Sequence, residues 1–181
     1  MRSKEFTSLV TKYKDGIYRL SKWIVKDHDE AQDIMQETFI RLWNRRSTLK
    51  KYRNLESVFY VTAKNLALNA LKKKKKMTIS STSDIDIADS IPEESADNDQ
   101  GVNFQLLVKR SMDQLSVNQR IVFELRDIEN RSIEEIAKIT NATENNVRVL
   151  LSRARQKIRK LCIKEMNDEY RRAENTLRKI L

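Results

Sequence analysis

The side chains of this sequence best suited to chemistry are amides and guanidiniums at helical spacing near residue 150. Outside the apolar stripe of the helix predicted there lie Glu144, Asn145, Asn146, Arg148, Ser152, Arg153, Arg155 and Lys157, which we call the duplex face. Asn and Arg hydrogen-bond base edges in a major groove, and Arg and Lys pair with phosphates. The face therefore indicates a duplex nucleic acid as ligand. The alternative is a solvated basic face on a helical hairpin.

A second polar surface combines aromatic, basic and amide side chains. It comprises Lys51, Tyr52, Arg53 and Asn54 in a predicted loop and Tyr60, Lys64, Asn65, Asn69, Lys72 and Lys73 on the helix that follows. We call it the strand face, because stacking on aromatic rings and hydrogen bonding to amides suit an unpaired base. On residue types alone, an ordinary solvated surface explains it equally well.

A third surface lies off or beside the core stripe of the helix before that loop. It comprises Asp33, Gln36, Glu37, Ile40 and Arg41, which we call the docking face, with Trp43 at its end. An exposed Trp among charges is typical of a protein interface. Packing of Trp43 at the end of its helix is the competing interpretation.

The sequence has few residues suited to metal binding, disulfide formation, Cys/His catalysis or nucleotide binding. The chain has one His and one Cys, too few for a zinc site, a disulfide framework or a Cys/His catalytic pair. Its two glycines, Gly16 and Gly101, are too far apart to form a glycine-rich phosphate loop. We therefore expect a protein that is not an enzyme, with no cofactor and no small-molecule substrate.

Charge divides the chain into three parts. The net charge is +10 in total: +11 over residues 1–76, −7 over residues 77–108 and +6 over residues 109–181. Two basic blocks separated by an acidic spacer indicate two modules that bind polyanions. No apolar run has the length of a membrane span and the amino terminus lacks a signal-peptide core, so we expect a cytoplasmic location.

The spacing of apolar residues predicts an all-α protein with two small helical domains. Residues 1–76 read as three helices, from Phe6 to Ile24, from Glu30 to Arg45 and from Leu55 to Lys76, with a loop over 47–54. Residues 77–103 form an acidic linker. Residues 104–163 form the second domain, which begins with a helix over 104–115. Residues 164–181 read as a final amphipathic helix that either packs on this domain or binds a partner.

The second domain carries the pattern of a helix-turn-helix. Ser116 with Gln119 and Ser132 with Glu135 fit capping boxes, and Thr143 is a candidate cap for the helix of the duplex face. Small Ala137 falls where the two helices cross, and Ile136, Thr140, Ala142, Val147 and Leu150 fall where they touch. The turn needs a left-handed residue, which Asn141 supplies in place of the usual glycine.

These segments resemble the extracytoplasmic-function (ECF) sigma factors. Residues 29–43 (DEAQDIMQETFIRLW) are similar to the helix with which that family binds core RNA polymerase, and residues 54–75 to its −10 element helix. Residues 119–126, 133–137 and 143–160 are similar to its −35 binding domain. Residues 143–155 (TENNVRVLLSRAR) also resemble the Bacteroidetes branch. Thr140 and Asn141 depart from the family, which prefers Leu and Gly there.

The resemblance implies a role for each face. The docking face would bind the β′ clamp helices of core RNA polymerase, with the β flap as a second polymerase contact. The strand face would hold the melted −10 strand, the duplex face would contact the −35 duplex, and the acidic linker would lie in polymerase channels. An anti-sigma factor, possibly anchored in the membrane, is a further expected partner.

Three other classes of protein compete with this interpretation. A dimeric helix-turn-helix regulator would leave residues 29–71 unexplained, and a non-specific coating protein would leave the acidic linker unexplained. An enzyme lacks any sequence pattern that gathers acid and base groups into a pocket. The ECF sigma factor accounts for both segments and is our prediction.

Overall fold

The computed structural model describes residues 2–81 and 110–180, and every regular element within them is helical. The elements are α1 (Ser3–Val25), α2 (His28–Asn44), α3 (Arg46–Leu49), α4 (Leu55–Ser81), α5 (Val117–Phe123), a π-helical turn (Glu124–Ile128), α6 (Ile133–Thr140) and α7 (Glu144–Ile180). Residues 110–113 are also helical. Within these limits the all-α prediction is confirmed.

Helices α1, α2 and α4 pack as a three-helix bundle around Phe59. The Phe59 side chain is fully buried, and its ring centroid lies 5.3 Å from that of Tyr13, 5.8 Å from Phe39 and 6.0 Å from Phe6. Aromatic pairs at such distances contribute beyond the area they bury. Asp27 begins α2 by accepting a hydrogen bond from the backbone N–H of Glu30.

The second domain forms as its capping pattern predicts. Both predicted capping boxes are present, and Thr143 Oγ1 accepts a hydrogen bond from the backbone N–H of Asn146 at 3.2 Å. Asn141 has φ 54° and ψ 48°, the left-handed conformation expected at the turn. Ile136 and Val147 are fully buried between α6 and α7. The helix-turn-helix prediction is confirmed.

The two domains pack against each other. Buried residues of the second domain, among them Ile121, Leu125 and Ile139, belong to the same hydrophobic cluster as Phe59. A smaller cluster of Met112, Leu115 and Ala154 receives Trp23 from α1. Helices α1 and α4 therefore hold the second domain through apolar contacts as well as polar ones.

Three sequence expectations need correction. The predicted loop over 47–54 contains most of α3, and α4 continues beyond residue 76 to Ser81. The last two predicted helices are one continuous helix, because no residue between 144 and 180 is a helix-breaking Gly or Pro. On α7, Met166 and Tyr170 are 57% and 80% exposed, which favours partner binding over packing on the second domain, the two alternatives for residues 164–181. The linker over 82–103 and the helix over 104–109 lie outside the described residues.

Candidate nucleic-acid and protein interfaces

The duplex face is presented to solvent by α7. Its eight predicted residues are all exposed, whereas Val147, Leu151 and Ala154 on the opposite side of the helix are buried. Because buried apolar residues fix one side of α7, the polar side has a defined orientation on the surface of the second domain. The structure thus brings together every residue predicted for this face.

Three cations of the duplex face already have partners, two of them in ion pairs and one in a hydrogen bond. Arg148 Nη2 lies 2.8 Å from Glu144 Oε2, one turn earlier on α7. Arg155 Nε donates to Asp127 Oδ2 at 3.1 Å, and this hydrogen bond raises the pKa of Arg155 above its usual range. Lys157 donates to the backbone carbonyl of Gln114. These are exposed contacts that a phosphate or base can replace at little cost.

The docking face follows one side of α2. Asp33, Gln36 and Arg41 are exposed, Ile40 is 54% exposed and Glu37 is half-buried. Arg41 Nε donates to Glu37 Oε1 at 2.6 Å, so the two charges are paired in the free chain. An exposed Ile between paired charges suits an interface with another protein.

Trp43 belongs to the fold rather than to the docking face. Its ring meets Phe6 edge-on at 5.1 Å, and the guanidinium of Arg46 lies 4.4 Å from its centroid. The helix-end packing interpretation of Trp43 therefore holds.

The structure splits the strand face into an exposed part and a covered part. The residues that are exposed are Lys51, Tyr52, Arg53, Asn54, Asn65, Asn69, Lys72 and Lys73. Asn65 and Asn69 line a cleft of about 210 Å³ between α2 and α4, together with Arg41 and Arg45. Tyr60 and Lys64 are only 1% and 8% exposed. The expectation that these two point away from the core is wrong in this conformation, because the second domain covers them.

Tyr60 lies at the centre of the contact between the domains. Its Oη donates to Glu129 Oε2 at 3.1 Å, and the guanidinium of Arg131 lies 4.5 Å from its ring centroid. Burial is the main cause that raises the pKa of Tyr60 to about 12, with the Glu129 carboxylate adding to it. Gly16 on α1 makes room for this contact, because a Cβ there would overlap Tyr60 Oη and approach Glu129 Oε2 to 2.9 Å.

Lys64 binds the end of the first helix of the helix-turn-helix. Its Nζ donates to the backbone carbonyl of Ile139 at 2.9 Å, in the last turn of α6. A cation at a helix carboxyl terminus is favoured by the helix dipole. Burial lowers the pKa of Lys64 below its usual range. Nearby, Arg131 Nη1 pairs with Glu56 Oε1 at 2.6 Å, which adds a third polar link from α4 to the second domain.

Arg19 of α1 and Glu129 form a further polar link between the domains. Arg19 Nε donates to Glu129 Oε1 at 3.0 Å, and a second guanidinium nitrogen contacts the same oxygen. Arg19 Nε also lies 3.7 Å from Glu124 Oε1. Sequence reasoning missed Arg19, Glu124, Glu129 and Arg131. One signal was available, since Gly16 is one of only two glycines in the chain and lies inside a helix.

The described residues contain neither a metal-binding cluster nor a membrane-spanning helix. Over residues 2–81 and 110–180, no group of three or more His, Cys, Asp and Glu side chains is placed to hold a metal ion. Over the same residues, no helix combines the length and the apolar character needed to cross a membrane.

Two protein-family models match the chain, one for each helical domain. Sigma-70 region 2 matches residues 9–77, which include the docking and strand faces. Sigma-70, region 4 matches residues 105–158, which include the helix-turn-helix. Together they span about two thirds of the chain.

Curated relatives match along almost their whole length. RNA polymerase sigma factor SigV of Bacillus subtilis is 28% identical over 171 residues, covering 91% of this chain and 98% of the relative. ECF RNA polymerase sigma factor SigX of the same organism is 28% identical over 182 residues, covering 94% and 92%. The match therefore includes both domains and the segment between them.

Two solved structures share the fold. The sigma factor RpoE, in complex with the anti-sigma factor NepR from Bartonella quintana, superposes with a TM-score of 0.74 at 20% identity, over 88% of this chain and 97% of that one. CnrH, in complex with the cytosolic domain of CnrY, superposes with a TM-score of 0.61 at 16% identity, over 90% of each chain. At this level of identity the likeness establishes the two-domain helical fold.

Proposed function

The chain belongs to the ECF-type sigma factors of the sigma-70 family and acts in transcription initiation, and on that premise we propose what each of its faces binds. The observation that carries the proposal is the presence of two separate polar faces within two matched regions in the family's order. One lies on α4 within region 2, and the other lies on α7 within region 4. A free-standing regulator or a coating protein would need only one of them.

The docking face of α2 binds core RNA polymerase, through the β′ clamp helices. Exposed Ile40 supplies apolar contact, and Asp33, Gln36 and the Glu37–Arg41 pair supply polar contacts around it. The second domain makes the further contact with the β flap.

The duplex face of α7 contacts the −35 element. Asn145, Asn146 and Arg148 lie near the amino-terminal end of α7, where a recognition helix meets base edges. Ser152, Arg153, Arg155 and Lys157 lie further along the helix and contact phosphates. The ion pair between Arg155 and Asp127 must then break before Arg155 contacts the DNA.

The strand face holds the melted −10 strand. Tyr52 is 54% exposed and offers a ring for stacking, and Asn65 and Asn69 on α4 offer exposed amides. Tyr60 and Lys64 join them only after the second domain moves away, because it covers both in the free chain. Promoter binding by this chain therefore includes separation of the two domains.

A further partner is an anti-sigma factor, which would hold this chain inactive. We expect the anti-sigma factor to be anchored in the membrane. The support is that the two fold neighbours were solved as complexes, one with an anti-sigma factor and one with the cytosolic domain of CnrY. Because core RNA polymerase and promoters lie in the cytoplasm of bacteria, we place this chain there. The sequence over residues 143–155 supports a Bacteroidetes origin.

Run-off transcription from a promoter library tests the assignment. Core RNA polymerase from a Bacteroidetes species and core from another phylum are each used with and without the chain. Transcripts that share one −35 and −10 pair and require the chain are expected, and stronger activity with Bacteroidetes core would support that origin. Asp33→Ala is expected to weaken core binding, while Glu134→Ala, an exposed carboxylate on α6, serves as the matched control.

Loss of transcription without loss of core binding would contradict the docking role of Asp33. Sequence-specific duplex binding by the chain alone, with no transcription from either core, would favour a helix-turn-helix regulator instead.

A further inference from the structure

Glu124 is a fully buried carboxylic acid at the contact between the two domains. It begins the π-helical turn that follows α5, and its exposed fraction is 0%. Arg19 of α1, in the first domain, lies 3.7 Å from its Oε1. Neither oxygen of Glu124 accepts a hydrogen bond from any residue in the described ranges. The sigma factor function proposed above makes no use of this group.

The charges around Glu124 favour its neutral form. From α1, Arg19 faces it, but this guanidinium donates its hydrogen bonds to Glu129. Glu129 adds a second negative charge close by, and Tyr60 of α4 donates to Glu129 rather than to Glu124. Arg131 pairs with Glu56 of α4. Buried Arg120 lies on α5, one turn before Glu124 in the chain.

A carboxylate that is buried without hydrogen bonds costs more than the neutral acid. Burial, followed by repulsion from Glu129, raises the pKa of Glu124 to about 7, and Arg19 offsets only part of this. When α1 leaves the second domain, water reaches the carboxyl group and Arg19 and Tyr60 move away with the first domain. Its pKa then returns toward the ordinary 4.5.

We propose that Glu124 takes up a proton when the two domains close and releases it when they separate, which makes closure of this chain a pH-sensitive switch. The closed form holds more protons than the open form between the two titration points. The ratio of closed to open molecules is therefore greatest below pH 4.5 and falls up to tenfold per pH unit until about pH 7, roughly 300-fold in all. Above that pH it is constant.

The test uses the full chain carrying ¹³C-labelled glutamate side chains. Its single histidine is first replaced by His28→Gln, so that no imidazole contributes to the pH dependence; His28 contacts Tyr18 and Gln32 within the first domain. NMR from pH 4 to pH 9 is expected to find one glutamate whose midpoint lies well above those of the others and below the closed-form value of about 7, because closed and open molecules both contribute to it. Small-angle X-ray scattering is expected to find a larger radius of gyration at pH 8 than at pH 5.5.

Glu124→Gln imitates the protonated acid. It is expected to remove the titrating NMR signal and to keep the compact radius at both pH values, with unchanged far-UV circular dichroism. Glu134→Gln, at an exposed carboxylate of α6, is the control and is expected to keep both properties of the starting chain.

Three outcomes would overturn the proposal. They are a starting chain with no glutamate that titrates well above the others, a titration that persists in the Glu124→Gln variant, and a Glu124 that titrates near 7 while the radius stays the same. Because neither measurement involves polymerase or promoter DNA, its failure leaves the proposed function of the faces untouched.

Discussion

The two predicted nucleic-acid faces of this chain differ in how the free protein presents them. The duplex face of α7 is exposed along its whole length, and its ion pairs, Arg148 with Glu144 and Arg155 with Asp127, lie on the solvated surface of the second domain. The strand face of α4 is divided, with Tyr60 and Lys64 beneath the second domain. The domain proposed to read duplex therefore also covers part of the other domain. Reading of a duplex is thus available before the strand face is complete.

The most severe substitution removes the buried ring at the centre of the first domain, which carries the strand face, and leaves the second domain, which carries the duplex face, intact. Phe59→Ala is expected to lower the free energy of unfolding by about 3–5 kcal/mol, because Phe59 is fully buried among aromatic rings. Denaturation followed by circular dichroism measures this, and Phe59→Leu is the milder control. Binding of −35 duplex should survive in the Phe59→Ala variant; equal loss of duplex binding would mean that the second domain depends on the first.

Breaking the polar contact between the domains should uncover the strand face alone. Glu129→Ala removes the acceptor shared by Arg19 and Tyr60, and loss of hydrogen bonds to a charged group is worth about 2–3 kcal/mol. We expect a larger radius of gyration and tighter binding of single-stranded −10 DNA, measured by fluorescence anisotropy. Glu134→Ala, which removes the partner of Lys138 on the surface of α6, is the control. Unchanged strand binding would contradict the covering role of the second domain.

A substitution on the exposed face should act on sequence recognition without moving the domains. Arg148→Ala is expected to weaken binding of the −35 duplex by about 1–3 kcal/mol if Arg148 contacts a base edge. The measurement compares the promoter duplex with scrambled duplexes, and Lys138→Ala on α6 is the matched control. Equal loss on all sequences would reassign Arg148 to a phosphate.

The smallest expected effect concerns the turn that orients the duplex face. Asn141→Ala places a residue without a compensating amide in the left-handed conformation and should lower the free energy of unfolding by about 1 kcal/mol. Asn141→Gly should cause no loss, because glycine adopts this conformation freely. Urea denaturation distinguishes the two variants, and a loss with glycine would show that the Asn side chain itself is needed.

Features that depend on neighbouring residues could be predicted from the sequence. The capping boxes at Ser116 and Ser132, the cap at Thr143 and the left-handed Asn141 each involve groups within a few positions of one another, and all of them form. The exposure of the duplex face followed in the same way from the apolar stripe of α7. The unbroken length of α7 could also have been predicted from the lack of Gly or Pro after residue 144, although our sequence prediction divides this segment into two helices.

The contact between the domains could not be predicted in this way. Arg19 and Glu129 are separated by 110 residues, and no local pattern links them. The helical spacing of α4 distinguishes side chains that leave its apolar stripe from those within it, yet it does not reveal that a second domain covers Tyr60 and Lys64. Burial from a distant part of the chain turned two polar-face residues into interface residues.

The continuous helix α7 has a mechanical consequence. Its 37 residues give a rod about 55 Å long, whose first turns lie in the helix-turn-helix and whose last turns extend beyond it. A rod without a break transmits rotation, so a small tilt of the amino-terminal end in a groove becomes a displacement of many ångströms at the far end. A molecule that binds the far end of α7 therefore changes the angle at which the duplex face meets DNA, because the helix acts as the lever arm.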